Sequence, residues 1–364
     1  MAEASDVNRV LSYHFNQDYS YFVITTERGF QIFSCNPFAE IYRRSFDGGI
    51  GSVEMFFKSN ILGLTGGGTN PKYPLNKAII WNDEQGRPIG EFTFKTNVLG
   101  IRLRKDKVVI ILETFIYAYD FDDFYLLDAI ETCFNPKACC ALTPTGTAIL
   151  AIPSKKKGYL YLKNYGTNAV FEEMAHKNAI VAIALSCDGR LCATASQIGT
   201  LIRIFATENL SLLQELRRGK DNAEISCVAF DNSVKWIGCC SNRGTVHVFT
   251  VISASKAALA LQGNPIEVDD NDSDEERKEE KEGEKEEEKV NPQNKTSKLK
   301  FMKKIVPYFS SEWSLAQFRL TEKKCVIGFG TKDTIYVITE AGKFYSAIFD
   351  PVHGGNCKKI EERN

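Results

Sequence analysis

The chain has 364 residues, 43% hydrophobic and 25% charged, with a formal net charge of −1; this is the composition of a folded globular protein and excludes a wholly disordered or fibrous one. No run of about 18 apolar residues occurs and the first six residues lack the basic and apolar regions of a secretion signal, so any membrane contact is expected to be peripheral. The near-neutral total hides a division: residues 267–289 hold 14 acidic and 5 basic side chains, leaving 40 basic against 32 acidic elsewhere, a body drawn to phosphate-rich surfaces, whether lipid or nucleic acid.

Eleven cysteines lie scattered through apolar stretches without CxxC or metal-ligand spacing, and read as small buried hydrophobes in a reducing, cytoplasmic setting. In that setting the N-x-S/T matches at Asn209 and Asn294 are chance.

Along the chain, short apolar or alternating segments recur, each followed by Gly, Asn, Asp or Pro, with no sustained helical period; the fold class is all-β. One strand type repeats seven times: GFQIF at 29–33, KAIIW at 77–81, FIYAY at 115–119, GYLYL at 158–162, LIRIF at 201–205, VHVF at 246–249 and TIYVI at 334–338. Their ends are 48, 38, 43, 43, 44 and 89 positions apart. Four-stranded propeller blades repeat every 40 to 45 residues or so, and removing about 45 residues from the last gap restores the period. The expectation is one seven-bladed WD-repeat-like β-propeller over residues 1–364, with blades beginning near 9, 46, 96, 134, 176, 220 and 311. The surplus is a mostly acidic insertion at 252–300 within blade six, too highly charged to bury and expected to be disordered.

Early turns carry Asn16 and Asp18, which read as a polar turn satisfied by local hydrogen bonds or as a contact surface. The glycines at 66–68 are followed by no Gly-Lys-Ser/Thr, so they read as an inter-strand turn and not a nucleotide cradle. The chemistry concentrates later. Arg217 and Arg218 follow the fifth strand set, and neighbours on an extended segment face opposite ways, so each could serve a separate pocket. Guanidinium groups stay charged and offer planar donors to phosphate oxygens. Around them stand His176, Ser196, Thr200 and Arg203 in blade five, and Ser241, Gly244, Thr245 and His247 at comparable places in blade six. Each alone has a structural reading; hydroxyls, imidazoles and arginines together suit phosphate.

These segments resemble the PROPPIN family of phosphoinositide-binding propellers of autophagy: Leu216-Arg217-Arg218-Gly219 in place of the family's Phe or Leu before Arg-Arg-Gly, ATAS at 193–196, GTLIR at 199–203, GTVH at 244–247, FNQD at 15–18 and GGGTNPKYP at 66–74. The Leu and the glycine run look most like the shorter-chained branch that pairs with a lipid-transfer protein. The resemblance implies one pocket of His176, Ser196, Thr200, Arg203 and Arg217, and a second of Arg218, Ser241, Gly244, Thr245 and His247. It implies phosphatidylinositol 3-phosphate and 3,5-bisphosphate as ligands and an autophagy lipid-transfer protein as partner, the latter engaged near Asn16 and Asp18. Cys240 stands where members often carry a serine, which removes a donor near the second pocket.

The family's sixth-blade loop is thought to enter the bilayer. Here the acidic run is repelled by an anionic leaflet, while Lys300, Phe301, Met302, Lys303 and Lys304 have the basic and apolar character of interfacial insertion; the segment just after them reads equally as the blade's outer strand. The implied protein is a monomeric, peripheral scaffold, cytoplasmic and reversibly at the preautophagosomal or endosomal membrane, without cofactor, metal or catalysis. No GxSxG, metal cluster or stacking platform for nucleic acid is present. The alternative is a lipid-independent propeller that takes acidic or phosphorylated peptides. Phosphates beside His176 and His247 would favour imidazolium, so affinity is expected to rise as pH falls from about 7.5 to about 6.

Overall fold

The computed structural model describes residues 9–251, 293–295 and 311–363. The candidate insertion residues Lys300 to Lys304, and nearly all of the acidic insertion, lie outside the described residues.

Seven antiparallel sheets form the blades of a propeller. Blade one comprises Val10–Phe15, Tyr21–Thr26, Gly29–Cys35 and Phe38–Ser45; blade two, Ile50–Met55, Ile61–Gly66, Lys77–Asn82 and Arg87–Thr93; blade three, Gly100–Arg104, Lys107–Ile111, Phe115–Asp120 and Leu126–Glu131; blade four, Ala141–Leu142, Ile149–Pro153, Tyr159–Asn164 and Ala169–Met174. Blade five is Ile180–Leu185, Leu191–Ser196, Leu201–Ala206 and Leu212–Arg217; blade six, Ile225–Phe230, Trp236–Ser241, Thr245–Thr250 and Ala316–Arg319; blade seven, Cys325–Phe329, Thr334–Thr339, Phe344–Ile348 and Lys358–Arg363.

Within a blade the second strand is the most enclosed, sheltered by strands on both sides and by neighbouring blades on both faces. Leu191–Ser196, Trp236–Ser241 and Thr334–Thr339 are buried at every position. Such strands need small or apolar residues throughout, hence Cys-Ala-Thr-Ala at 192–195 and Gly-Cys-Cys at 238–240. Fourth strands alternate, as in Leu126–Glu131, because one face meets water. Between blades the fit is close: a Cβ on Gly238 would stand 2.1 Å from Cδ1 of Ile327 in blade seven.

The expected starts of the first six blades lie within several residues of the observed ones, but the seventh is corrected. Blade seven begins at Cys325, not near 311, because Ala316–Arg319 completes blade six and Glu312–Trp313 adds a parallel strand to the edge of blade five. The TIYVI segment is accordingly the second strand of its blade, whereas the other six repeats are third strands. A fully buried second strand and a third strand share the same β-branched and aromatic character, so composition alone did not separate them.

Among the described residues ring closure uses no exchanged strand: blades one and seven have no strand in common, although Gly355–Asn356, between the last two strands of blade seven, pairs in parallel with Ala316 and Gln317 of blade six. Side chains join them. Phe22 stacks on Phe344 with centroids 5.3 Å apart, and Ile24, Cys35, Tyr336 and Ile338 complete that cluster. Tyr19, in the left-handed region at φ 60°, packs on Phe329 of blade seven and donates its hydroxyl to the Phe230 carbonyl of blade six at 2.7 Å. Asn232 of blade six donates back to the Asp18 carbonyl at 3.1 Å.

Candidate anion-binding pockets

Two equivalent turns organise the site. Ser196–Gly199 and Ser241–Gly244 each close on a glycine amide donating to a serine carbonyl, at 2.9 and 3.1 Å, with both glycines at φ 69°. Only glycine holds that conformation cheaply, and at Gly199 a Cβ would lie 1.8 Å from the Ala223 carbonyl oxygen. The third strands that follow place Arg203 opposite Thr194 and His247 opposite Cys239, so Arg203 and His247 occupy equivalent places.

In the first pocket, Arg203 donates Nη1 to the Ala175 carbonyl at 2.7 Å and Nε to Glu215 at 3.0 Å. The Arg203–Glu215 ion pair closes to 2.9 Å through Nη2. The buried His176 shares a 2.9 Å hydrogen bond with the Thr194 hydroxyl. Arg217 is buried and its Nε donates to the Ser311 hydroxyl at 2.7 Å, so the segment returning from the insertion packs on it. Ser196 is buried and Thr200 half-buried in the turn itself.

That turn also holds the second arginine. The Arg218 amide donates to the Thr200 carbonyl at 2.9 Å, and its Nε donates to the Gly199 carbonyl at 2.8 Å. Its Nη2 donates to the Asp221 carbonyl at 2.5 Å. The residue is 7% exposed, and no carboxylate forms an ion pair with it among the described residues. Burial, reinforced by nearby Arg243, holds its pKa below the ordinary arginine value. A buried guanidinium with neutral partners only is costly unless an anion completes it. In blade six, Ser241 is fully buried with no partner for its hydroxyl. His247 shares a 3.1 Å hydrogen bond with Ser314, and Thr245 is half-buried at the strand entrance.

Burial, reinforced by Arg203 and Arg218 respectively, lowers both His176 and His247 to about 4 in the unliganded protein, so a pH-dependent affinity would require phosphate binding itself to bring the protons on. One expectation is corrected. Cys240 does not face the second pocket: its thiol donates to the Cys325 carbonyl at 2.9 Å and meets Ser226 at 3.2 Å, on the blade-seven side. Sequence reasoning had quoted Thr194 only as part of a motif and had passed over Glu215, Arg243, Ser311, Ser314 and Gln317. Glu215 and Gln317 sit on fourth strands whose pairing with the third strands only the register reveals.

Asn16 is 2% exposed and fully engaged: Nδ2 donates to Ser20 and to the Phe57 carbonyl of blade two, and Oδ1 accepts from the Tyr21 amide. The polar-turn reading describes it. Asp18 accepts from Ser20 and lines a cavity of about 560 Å³ between blades six, seven and one, with Asp231, Lys235 and Asp333. The Asn294 amide is likewise occupied, bonded on both sides to the backbone of Thr250 at 2.7 and 2.8 Å. Among the described residues no helix is long and apolar enough to cross a membrane, and no group of three or more His, Cys, Asp or Glu could hold a metal ion.

Residues 10–258 match the PROPPIN family. The chain belongs to the PROPPIN family. It is 33% identical over 99% of its length to Autophagy-related protein 18e of Arabidopsis thaliana, covering 89% of that protein. It is 34% identical to Autophagy-related protein 18 of Dictyostelium discoideum, over 70% of this chain and 69% of that one. Among solved structures, Kluyveromyces lactis Hsv2 with its complete loop 6CD superposes with a TM-score of 0.73 at 19% identity, over 98% of this chain and 99% of the other. KlAtg21, solved in complex with the coiled coil of AgAtg16, superposes with a TM-score of 0.71 at 21% identity over the same shares. At that identity the likeness shows the fold. The PROPPIN propeller seen here has seven blades, all β among the described residues.

Proposed function

We propose that this PROPPIN is a peripheral membrane scaffold of autophagy whose two pockets read the 3-phosphorylated head groups of phosphatidylinositol 3-phosphate and 3,5-bisphosphate. The observation that carries the reading is Arg218, buried without a carboxylate and close enough to His247 of the neighbouring blade to depress its pKa, where the buried Ser241 hydroxyl also lacks a partner: donors that suit an anion. Arg217, one residue away, serves the blade-five pocket with Arg203, His176, Ser196 and Thr200. Gly244, Thr245 and His247 complete the blade-six pocket. Two sites of modest affinity on one body combine by avidity at a membrane.

The autophagy names of the relatives support the process, and the coiled-coil complex of a structural neighbour supports propeller-borne protein partners. The Leu-Arg-Arg-Gly segment aligns the protein with the branch that serves a lipid-transfer partner, for which exposed chemistry near Asp18 is the contact. Lys300 to Lys304 add membrane contact, and the protein is a monomer in the cytoplasm until recruited. Flotation with liposomes that contain or lack 5% phosphatidylinositol 3-phosphate tests this. Specific binding is expected for the wild type and is lost in Arg217→Ala plus Arg218→Ala, with circular dichroism confirming the fold. Undiminished binding by the double variant refutes the reading, and capture of phosphorylated peptides without lipid through the same arginines supports the peptide-binding alternative.

A further inference from the structure

The two pockets differ at one cross-strand pair of positions, which the strand register identifies. In blade five the third-strand residue Arg203 pairs with Glu215 on the fourth strand. In blade six the equivalent residue His247 pairs with Gln317. Glu215 takes the Arg203 guanidinium through both Nε and Nη2, at 3.0 and 2.9 Å. Gln317 is neutral and donates to the Ser314 hydroxyl at 3.0 Å, the group that also meets His247. The second pocket thus offers Arg218 with no carboxylate bound, whereas the first has a carboxylate of its own on Arg203.

We propose that Glu215 is the residue that ranks the two pockets, acting as an internal competitor for the anion in blade five so that the blade-six pocket fills first. The inference rests on the anion-reading pockets proposed above. A phosphate that approaches Arg203 must either displace Glu215 or lie beside its negative charge, and either choice weakens binding there. At Gln317 no such competition exists. The ion pair is partly exposed, so its displacement is costly without being prohibitive.

The probe is short-chain, water-soluble phosphatidylinositol 3-phosphate, titrated calorimetrically. In an Arg218→Gln background, which disables the second pocket while leaving a side chain able to bond Gly199, Glu215→Gln is expected to strengthen binding about tenfold, or about 1.4 kcal/mol. In the Arg203→Gln, Arg217→Gln background, which leaves only the second pocket, Glu215→Gln has no effect while Gln317→Glu weakens binding about tenfold. Circular dichroism and urea midpoints establish that each variant folds, and Glu215→Gln is repeated in the wild-type chain so that one comparison is free of the disabling substitutions. There, two unequal binding steps in the wild type are expected to converge. Unchanged or weakened binding on Glu215→Gln, in the wild-type chain or with Arg218→Gln, overturns the ranking while leaving the pockets intact. A wild type that binds no phosphoinositide at all overturns both readings.

Discussion

Replacing His176 and His247 together by glutamine isolates the cost of burying two neutral imidazoles. Both rings have pKa values lowered to about 4 by burial and a neighbouring arginine, against about 6.5 in the unfolded chain. The fold therefore prefers the neutral form. The stability associated with it is fully present above pH 6.5 and is lost as pH falls through 6.5 towards 4, where the unfolded chain takes up protons that the fold refuses. Between pH 7.5 and pH 5 linkage gives a loss of about 2 kcal/mol per ring, about 4 kcal/mol for the pair. That is a large share of a typical unfolding free energy. Glutamine keeps a polar partner for Thr194 and Ser314 and does not titrate. Other groups shift with pH as well; Glu54, raised to about 7 chiefly by burial, stabilises the fold as pH falls, but it is common to both proteins and cancels in the difference. Urea titrations followed by tryptophan fluorescence at pH 7.5 and pH 5 provide the measurement. The stability gap between wild type and variant is expected to close, or reverse, by about 4 kcal/mol at the lower pH. A gap equal at both values refutes the burial argument and means the rings are protonated or hydrated in the fold.

Tyr19→Phe removes the hydroxyl that reaches the Phe230 carbonyl, leaves that acceptor to find water, and should cost about 1 kcal/mol in a urea midpoint while the aromatic packing on Phe329 persists; an unchanged midpoint refutes the bridging role. Gly238→Ala places a methyl against Ile327 across the blade six and seven boundary, with an expected loss of about 1 to 3 kcal/mol, read as a drop in thermal midpoint without loss of the β-sheet dichroism. No drop would mean the blades part readily there.

Much of the fold was legible because a propeller repeats one pattern. The third strands of blades three, four and five alternate buried and half-buried residues, as in Leu201–Ala206 with Ile202 and Ile204 buried and Arg203 between them half-buried, and those of blades two and six are largely buried runs of the same length. The seventh blade slipped because Thr334–Thr339 is buried on both faces, and its run of β-branched and aromatic residues imitates a third strand. The serines, threonines, histidines and arginines of the candidate pockets were legible as a constellation of side-chain types. What each one touches was not. Cys240 and Ser241 are neighbours in sequence with different surroundings, the thiol bonded to the blade-seven carbonyl of Cys325 and the hydroxyl without a partner. Glu215 became visible only through its pairing with Arg203, since a lone glutamate on an outer strand reads as surface charge.

Because blades one and seven share no strand among the described residues, the join between them behaves as an interface within one molecule. A ring fastened by an exchanged strand opens only by unzipping a hydrogen-bond ladder. This one would open by separating aromatic faces, Phe22 from Phe344 and Tyr19 from Phe329, and by breaking the two hydrogen bonds to blade six. Contacts of that kind lapse within a fraction of an ångström of separation. Strain delivered anywhere on the rim would then concentrate at this boundary, which makes it the natural breaking point of the disc.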